Sequence, residues 1–144
     1  DFTEAGHEVR LWRTDPARVG AATIALKDAR GERHVTPSLV TADLAEAVRG
    51  AALILAPAPA TTHDALAPRL APVLEEGQVV FLTPGTLGAV ILARTLYAAR
   101  PGARVAFAET GTLPWLARKH GADTVAITVR AKHLPVGVFP LSLA

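Results

Sequence analysis

The chain predicts an α/β fold, a mostly parallel sheet with flanking helices, and three observations carry that reading. Short apolar runs at 52–56 (ALILA), 79–82 (VVFL) and 104–108 (RVAFA) have the length and continuity of strands covered on both faces. Segments with helical spacing and stop signals stand between them. Half of the 144 residues are hydrophobic and 19% are charged, which suits a globular core and excludes a disordered chain.

The elements follow in order. Residues 1–6 read as the last turn of a helix, with Gly6 in the left-handed position that ends it. Residues 7–12 (HEVRLW) alternate polar and apolar as a strand does. Thr14 or Asp15 caps a short helix with Pro16 at its first position. Residues 23–26 and 34–35 flank Asp28-Ala29-Arg30-Gly31 as a small hairpin. Asp43 and Glu46 have capping-box spacing, and their helix runs to Arg49 and stops at Gly50. The strand at 52–56 precedes a helix from Thr62, kinked or broken near Pro68 and Pro72. A strand at 79–82, a helix at 88–99 and a strand at 104–108 come next. Residues 114–120 are expected to be helical and to stop at Gly121, and 124–130 alternate as a strand. Leu53, Ile54, Leu55, Val79, Val80, Phe81, Val105 and Phe107 are the expected buried core.

Composition removes several functional classes. There is no cysteine, which excludes disulfides, thiolate catalysis and cysteine–zinc sites and fits a reducing cytoplasm. Net charge is +2, the arginines are scattered and aromatics are few, which speaks against nucleic acid as a partner. No apolar run approaches the roughly 20 residues of a membrane span. His7, His34, His63, His120 and His133 lie far apart, without metal-ligand spacing, and no serine–histidine–acid constellation emerges. The sequence therefore offers no metal site and no catalytic residue.

In a parallel sheet, ligands sit beyond the carboxyl ends of the strands, and four segments end there. At Trp12-Arg13-Thr14 an arginine and a threonine stand where a ribose-binding acid is usual, with Asp15 slightly late. This pair either holds a 2′-phosphate or is a solvated arginine beside a helix cap. Residues 57–63 (PAPATTH) form a stiff, small-residue turn into a helix, and its His63 is either a phosphate or ribose ligand or a solvated first-turn residue. Residues 83–88 (TPGTLG) also lead into a helix, with glycines that permit close backbone approach to a ligand. Glu109, after an apolar strand, either orients a ligand or caps the next helix or pairs with Arg118. In a dinucleotide fold the second strand ends about 20 residues after the glycine fingerprint. Counting back that far from Trp12 leads before Asp1. The chain thus reads as a Rossmann-type dinucleotide-binding domain, partial over 1–144, lacking the first strand and the glycine-rich turn. In the usual strand order the absent strand lies centrally, between 7–12 and 52–56.

Taken together, the segments resemble the opine dehydrogenases, the octopine/nopaline dehydrogenase family. The matching pieces are residues 5–11 (AGHEVRL), 40–44 (VTADL), Pro59-Ala60 with His63, and Pro84-Gly85 with Gly88. Residues 108–110 (AET) with 113–115 (LPW) and Arg118, then Lys132 and Phe139-Pro140, complete the match across essentially the whole chain. The resemblance implies an NAD(P)H-dependent reductive condensation of an amino acid with a 2-oxo acid. It also implies an N-terminal Rossmann domain and a helical C-terminal domain that carries the catalytic histidine and acid. Neither the glycine fingerprint nor that second domain has a counterpart here, so no catalytic residue is carried over and the isolated chain is expected to be inactive. Ala89 and Thr83 depart from the family's usual glycine and asparagine. Carried over as cofactor-binding are Arg13, Thr14, Pro59, His63, Pro84, Gly85 and Glu109. NADP is expected in preference to NAD, with a small-molecule substrate in the parent protein and homo-oligomer formation left open. Two other readings stand: a ketopantoate-reductase-like or glycerol-phosphate-dehydrogenase-like domain, and a non-catalytic module that senses a nucleotide or serves as a platform for partners.

Overall fold

The computed structural model describes residues 1–15, 23–121 and 123–143. Its backbone gathers into two compact units, each built from two stretches of chain. The first joins Asp1–Ala47 to Trp115–Arg130, and the second joins Val48–Pro114 to Ala131–Ala144.

The first unit opens with a single helical turn, closed by a hydrogen bond from Ala5 N–H to the Asp1 carbonyl at 2.9 Å. Gly6 follows at φ +87°, the left-handed conformation that ends a helix. Strand β1 (Arg10–Trp12) is shorter than the alternation suggests. Hairpin strands β2 (Ile24–Asp28) and β3 (Gly31–Val35) pair antiparallel around the expected turn. Strand β4 (Leu39–Thr41) runs parallel to β1, pairing Arg10 with Leu39 and Trp12 with Thr41. Helix α1 (Leu44–Val48) is capped as expected by Asp43, whose Oδ1 accepts from Ala45 N at 2.9 Å and Glu46 N at 3.4 Å. The reciprocal half of the box differs: the Asp43 N–H donates to Thr41 Oγ1 at 3.0 Å. The helix foreseen from Pro16 lies outside the described residues.

The segment 114–120 is not a helix. Residues Trp115–His120 form strand β8, antiparallel to β9 (Thr124–Arg130), and β9 in turn lies parallel to β2. Leu, Ala, Arg and Lys are good helix formers, so propensity points the wrong way; pairing along the whole of β9 overrides it. Trp115 and Ala117 are half-buried while Leu116 and Arg118 are exposed, and Gly121 at φ +72° turns the chain back rather than stopping a helix. The four-stranded order is β3-β2-β9-β8.

In the second unit all three apolar runs become strands, the third shifted from 104–108 to 106–110 so that Glu109 lies on it rather than after it. They are β5 (Leu53–Ala56), β6 (Val79–Leu82) and β7 (Ala106–Thr110), mutually parallel. Helix α2 (His63–Leu70) contains Pro68, and Pro72 opens the short 3-10 turn Ala71–Val73 after it. Helix α3 (Gly88–Ala99) keeps its predicted bounds. A fourth strand, β10 (Val136–Phe139), adds antiparallel to β7, giving the order β10-β7-β6-β5. Val80, Leu82, Leu96, Val105 and Phe107 are fully enclosed. The Tyr97 ring stands edge-on to Phe107 at 6.1 Å and its hydroxyl donates to the Val105 carbonyl at 2.6 Å. The expected core is only partly met. Ile54, Leu55, Val79 and Phe81 are half-buried, and Leu53 is 45% exposed. Among the described residues β5 has a ladder partner only on its β6 side, and Val79 and Phe81 share the face of β6 opposite the buried Val80 and Leu82. In the first unit β1 and β4 form a two-stranded parallel ladder of their own, and in the second β5, β6 and β7 form another.

Candidate functional site

Three loops of the second unit leave the carboxyl ends of β5, β6 and β7; of the seven predicted cofactor residues, Pro59, Pro84 and Gly85 lie on them, His63 opens α2 and Glu109 lies near the end of β7. Pro59 is exposed in the loop after β5, where its carbonyl accepts from Thr62 N at 2.9 Å and Thr62 Oγ1 at 2.7 Å. His63 opens α2 and is fully buried, so it is not a solvated first-turn residue. Its Nε2 lies 3.3 Å from the Ala58 carbonyl, which can only accept, so Nε2 carries the proton. Among the described residues Nδ1 has no hydrogen-bond partner, and it faces Gly88.

The turn between β6 and α3 is held from beneath. Pro84 follows a cis peptide, and Thr86 (φ 50°) and Leu87 (φ 66°) are non-glycine residues in the left-handed region. The Gly85 N–H donates to the Thr110 carbonyl at 3.0 Å, and Gly88 N–H to the Gly85 carbonyl at 2.8 Å. Glu109, half-buried on β7, accepts from Leu87 N–H at 3.2 Å through Oε1 and from Ala89 N–H at 3.0 Å through Oε2. A β-carbon at Gly85 would collide with the Glu109 side chain, and one at Gly88 with the His63 ring. The two glycines therefore have an internal reason, close approach of a side chain, before any ligand is considered. Glu109 caps the helix before it in sequence, since the segment after it is a strand.

In the first unit, Arg13 and Thr14 follow β1. Arg13 extends the ladder with its N–H on the Thr41 carbonyl at 2.9 Å, and its Nε is buried without a hydrogen-bond partner among the described residues. Thr14 is exposed.

A cluster that the sequence reading missed lies in the same unit. Asp28, its side chain 1% exposed, takes Arg33 bidentately at 2.7 and 3.0 Å and Arg130 Nη2 at 2.6 Å. Glu4 takes Arg33 Nε at 2.6 Å and Arg30 Nη2 at 3.3 Å. Asp1 takes Arg130 at 2.9 Å and Trp115 Nε1 at 3.0 Å. The hydrogen bond from Arg33, opposed by desolvation and reinforced by Arg30, holds the Glu4 carboxyl down at about 2. Asp28 is held well below the carboxylate range by Arg33 first, against desolvation. An open cavity of about 410 Å³ is lined by Asp1, Glu4, Ala5, Arg30 and Arg130. Three carboxylates pair with three guanidinium groups, and the cluster clamps the N-terminal turn to the sheet. The only local signal was the charged run Asp28–Arg33, legible as a turn; Arg130 is far away in sequence.

Among the described residues no group of three His, Asp or Glu is placed to hold a metal, and no helix is long and apolar enough to cross a membrane.

No protein-family model matches the chain. An opine dehydrogenase of Arthrobacter sp. (strain 1C) is 28% identical over 128 residues, covering 85% of this chain and 35% of that enzyme. The chain is similar to the opine dehydrogenases. The structure of octopine dehydrogenase in complex with NADH and agmatine superposes with a TM-score of 0.76 at 20% identity, over 92% of this chain and 36% of that one. The 2-dehydropantoate 2-reductase of Geobacter metallireducens GS-15 gives 0.69 at 14% identity, over 96% and 44%. The fold is Rossmann-like, with mixed and parallel sheets and flanking helices. The chain spans about a third of the length of the opine and octopine dehydrogenases it matches.

Proposed function

We propose that the chain is the dinucleotide-binding part of an opine-dehydrogenase-like oxidoreductase, which joins an amino acid to a 2-oxo acid at the expense of NAD(P)H. The observation that carries this is the agreement of two likenesses over the same residues: sequence identity along 85% of the chain and fold along 92%. The residues present suit such a cofactor. In the second unit, exposed Pro59 and half-buried Pro84 offer small, stiff surfaces at the carboxyl edge of a parallel sheet. In the first unit, the half-buried Arg13 follows β1 with its Nε enclosed, so the terminal nitrogens of its guanidinium would meet a 2′-phosphate, with the exposed Thr14 hydroxyl next in sequence. This favours NADP over NAD, whereas the octopine dehydrogenase structures hold NADH. The cofactor supplies the hydride when bound; this chain's residues bind and orient it, and hydride-transfer acid–base groups belong to a further domain of the parent.

Titration of the chain with NADPH and NADH tests the reading. Binding of NADPH in the micromolar range, with no turnover of any amino acid and 2-oxo acid pair, is expected. Arg13→Ala should weaken NADPH roughly ten- to a hundred-fold, the loss of about 1.5–3 kcal/mol for one charge-assisted contact, and leave NADH nearly unchanged. Equal losses for both cofactors, or none for NADPH, would show that Arg13 does not bind the 2′-phosphate. The likeness to 2-dehydropantoate 2-reductase supports a second reading, a ketopantoate-reductase-like domain. Assay of the full-length parent with ketopantoate against amino acid and 2-oxo acid pairs separates the two.

A further inference from the structure

The hydrogen bonds of Glu109 point to a role that its place at the sheet edge does not suggest. We propose that Glu109 is a positioning residue: its carboxylate is the built-in anion of the α3 N-terminus and fixes the 83–89 turn in shape without itself meeting a ligand. The ligand-facing part of this statement rests on the dinucleotide reading above; the latch itself does not.

Four observations support it. The first N–H groups of a helix have no partner within it and draw an anion. Here they have one, since both Glu109 oxygens are taken by Leu87 and Ala89 N–H. The position before α3 is Leu87, which has no polar group and makes no side-chain cap, so a carboxylate 22 residues away does the work of a local one. Thr86 and Leu87 hold left-handed backbone that a β-branched and a bulky residue adopt only when the surroundings over-determine it. Finally, β7 grips the turn twice, through the Thr110 carbonyl on Gly85 N–H and through the Glu109 side chain, packed where any β-carbon at Gly85 would stand. A phosphate arriving at this helix finds its N–H groups already occupied. The α3 N-terminus therefore offers no anion site, and it meets an uncharged portion of the ligand.

The test uses the full chain, with amide hydrogen exchange followed by NMR. In Glu109→Ala, Leu87 and Ala89 N–H should exchange at least about ten-fold faster, the scale of losing one such bond. Added formate should restore their protection in this variant and leave the wild type unmoved. Glu109→Gln, which keeps the volume and one acceptor oxygen, should lose protection at one of the two amides, and it carries the test if the alanine variant does not fold. NADH affinity should fall by about ten-fold in Glu109→Ala and return with formate. Unchanged exchange at both amides, or a loss that formate does not restore, overturns the latch. A wild-type chain that binds neither NADH nor NADPH overturns the dinucleotide reading instead, and the exchange measurements still decide the latch.

Discussion

The two units hold themselves together by different physics. In the second, helices α2 and α3 and a mixed sheet enclose Leu70, Val80, Leu82, Leu96, Val105 and Phe107, each 2% exposed or less. In the first, Leu26 and Val40 are the buried apolar side chains among the described residues, and a partly exposed network of carboxylates and guanidinium groups gathers around the buried Asp28. Apolar burial is indifferent to pH and little affected by salt, whereas a charge network depends on both. The contrast teaches that one short chain can respond to its surroundings in one half and not in the other. The chromophores allow it to be read directly. Both tryptophans, Trp12 and Trp115, lie in the first unit, and the single tyrosine, Tyr97, lies in the second.

The largest expected effect is that of Phe107→Ala, which should cost about 3–5 kcal/mol by opening a cavity in the second unit's core. Urea unfolding should move the Tyr97 signal far more than tryptophan fluorescence. Equal movement would show the two units melting as one and would break the comparison. Acid comes next. The Glu4 carboxyl titrates at about 2 when folded and at 4.5 when free, so the folded state binds fewer protons between those values. Its stabilisation is complete above 4.5, and it is lost as pH falls to about 2, with Asp28 acting in the same direction. Tryptophan fluorescence should therefore change within that window while the Tyr97 signal persists; simultaneous change of both would count against a charge-held first unit. A smaller effect sharpens the account of the second unit's turn. Gly85→Ala should be destabilising alone and much less so in a Glu109→Ala background, a coupling of about 1–2 kcal/mol in a double-mutant cycle. Strict additivity would mean that the two residues do not compete for space. Smallest is Asp43→Ala, which removes the α1 cap and should lower stability by about 1 kcal/mol in thermal unfolding.

Much of the second unit was legible in the sequence because its elements are locally determined. The α3 segment carries Ala and Leu at helical spacing and a glycine at its start, and the runs ALILA, VVFL and RVAFA have the length and apolar continuity of strands. The hairpin around Asp28-Ala29-Arg30-Gly31 was likewise plain from its turn residues. Strand β8 was not legible, since WLARKH has the composition of a helix and becomes a strand only by meeting β9. Strand β10 contains a glycine and depends on β7 for its existence. At the candidate site the segments were found and the reasons were not. Gly85 and Gly88 were read as room for a ligand, whereas the space is filled by Glu109 and His63. The burial of His63 and the grip of Glu109 on α3 are long-range facts, as is the meeting of Arg130 with Asp1 and Asp28, and no local pattern announces them.

The interleaving of the two units also sets a timetable for a chain that emerges from the ribosome one residue at a time. Strands β5, β6 and β7 of the second unit are all available before any residue of β8 or β9 exists. The β2–β3 hairpin, by contrast, must wait roughly a hundred residues for Ala25 to meet Thr124 on its open side, an interval of about 5–20 s at ordinary elongation rates. During it, Asp28 lacks the Arg130 guanidinium and β2 exposes an unpaired edge, the kind of surface that invites pairing with the wrong chain. Slow codons between 50 and 110 lengthen that exposure, and slow codons after 130 do not.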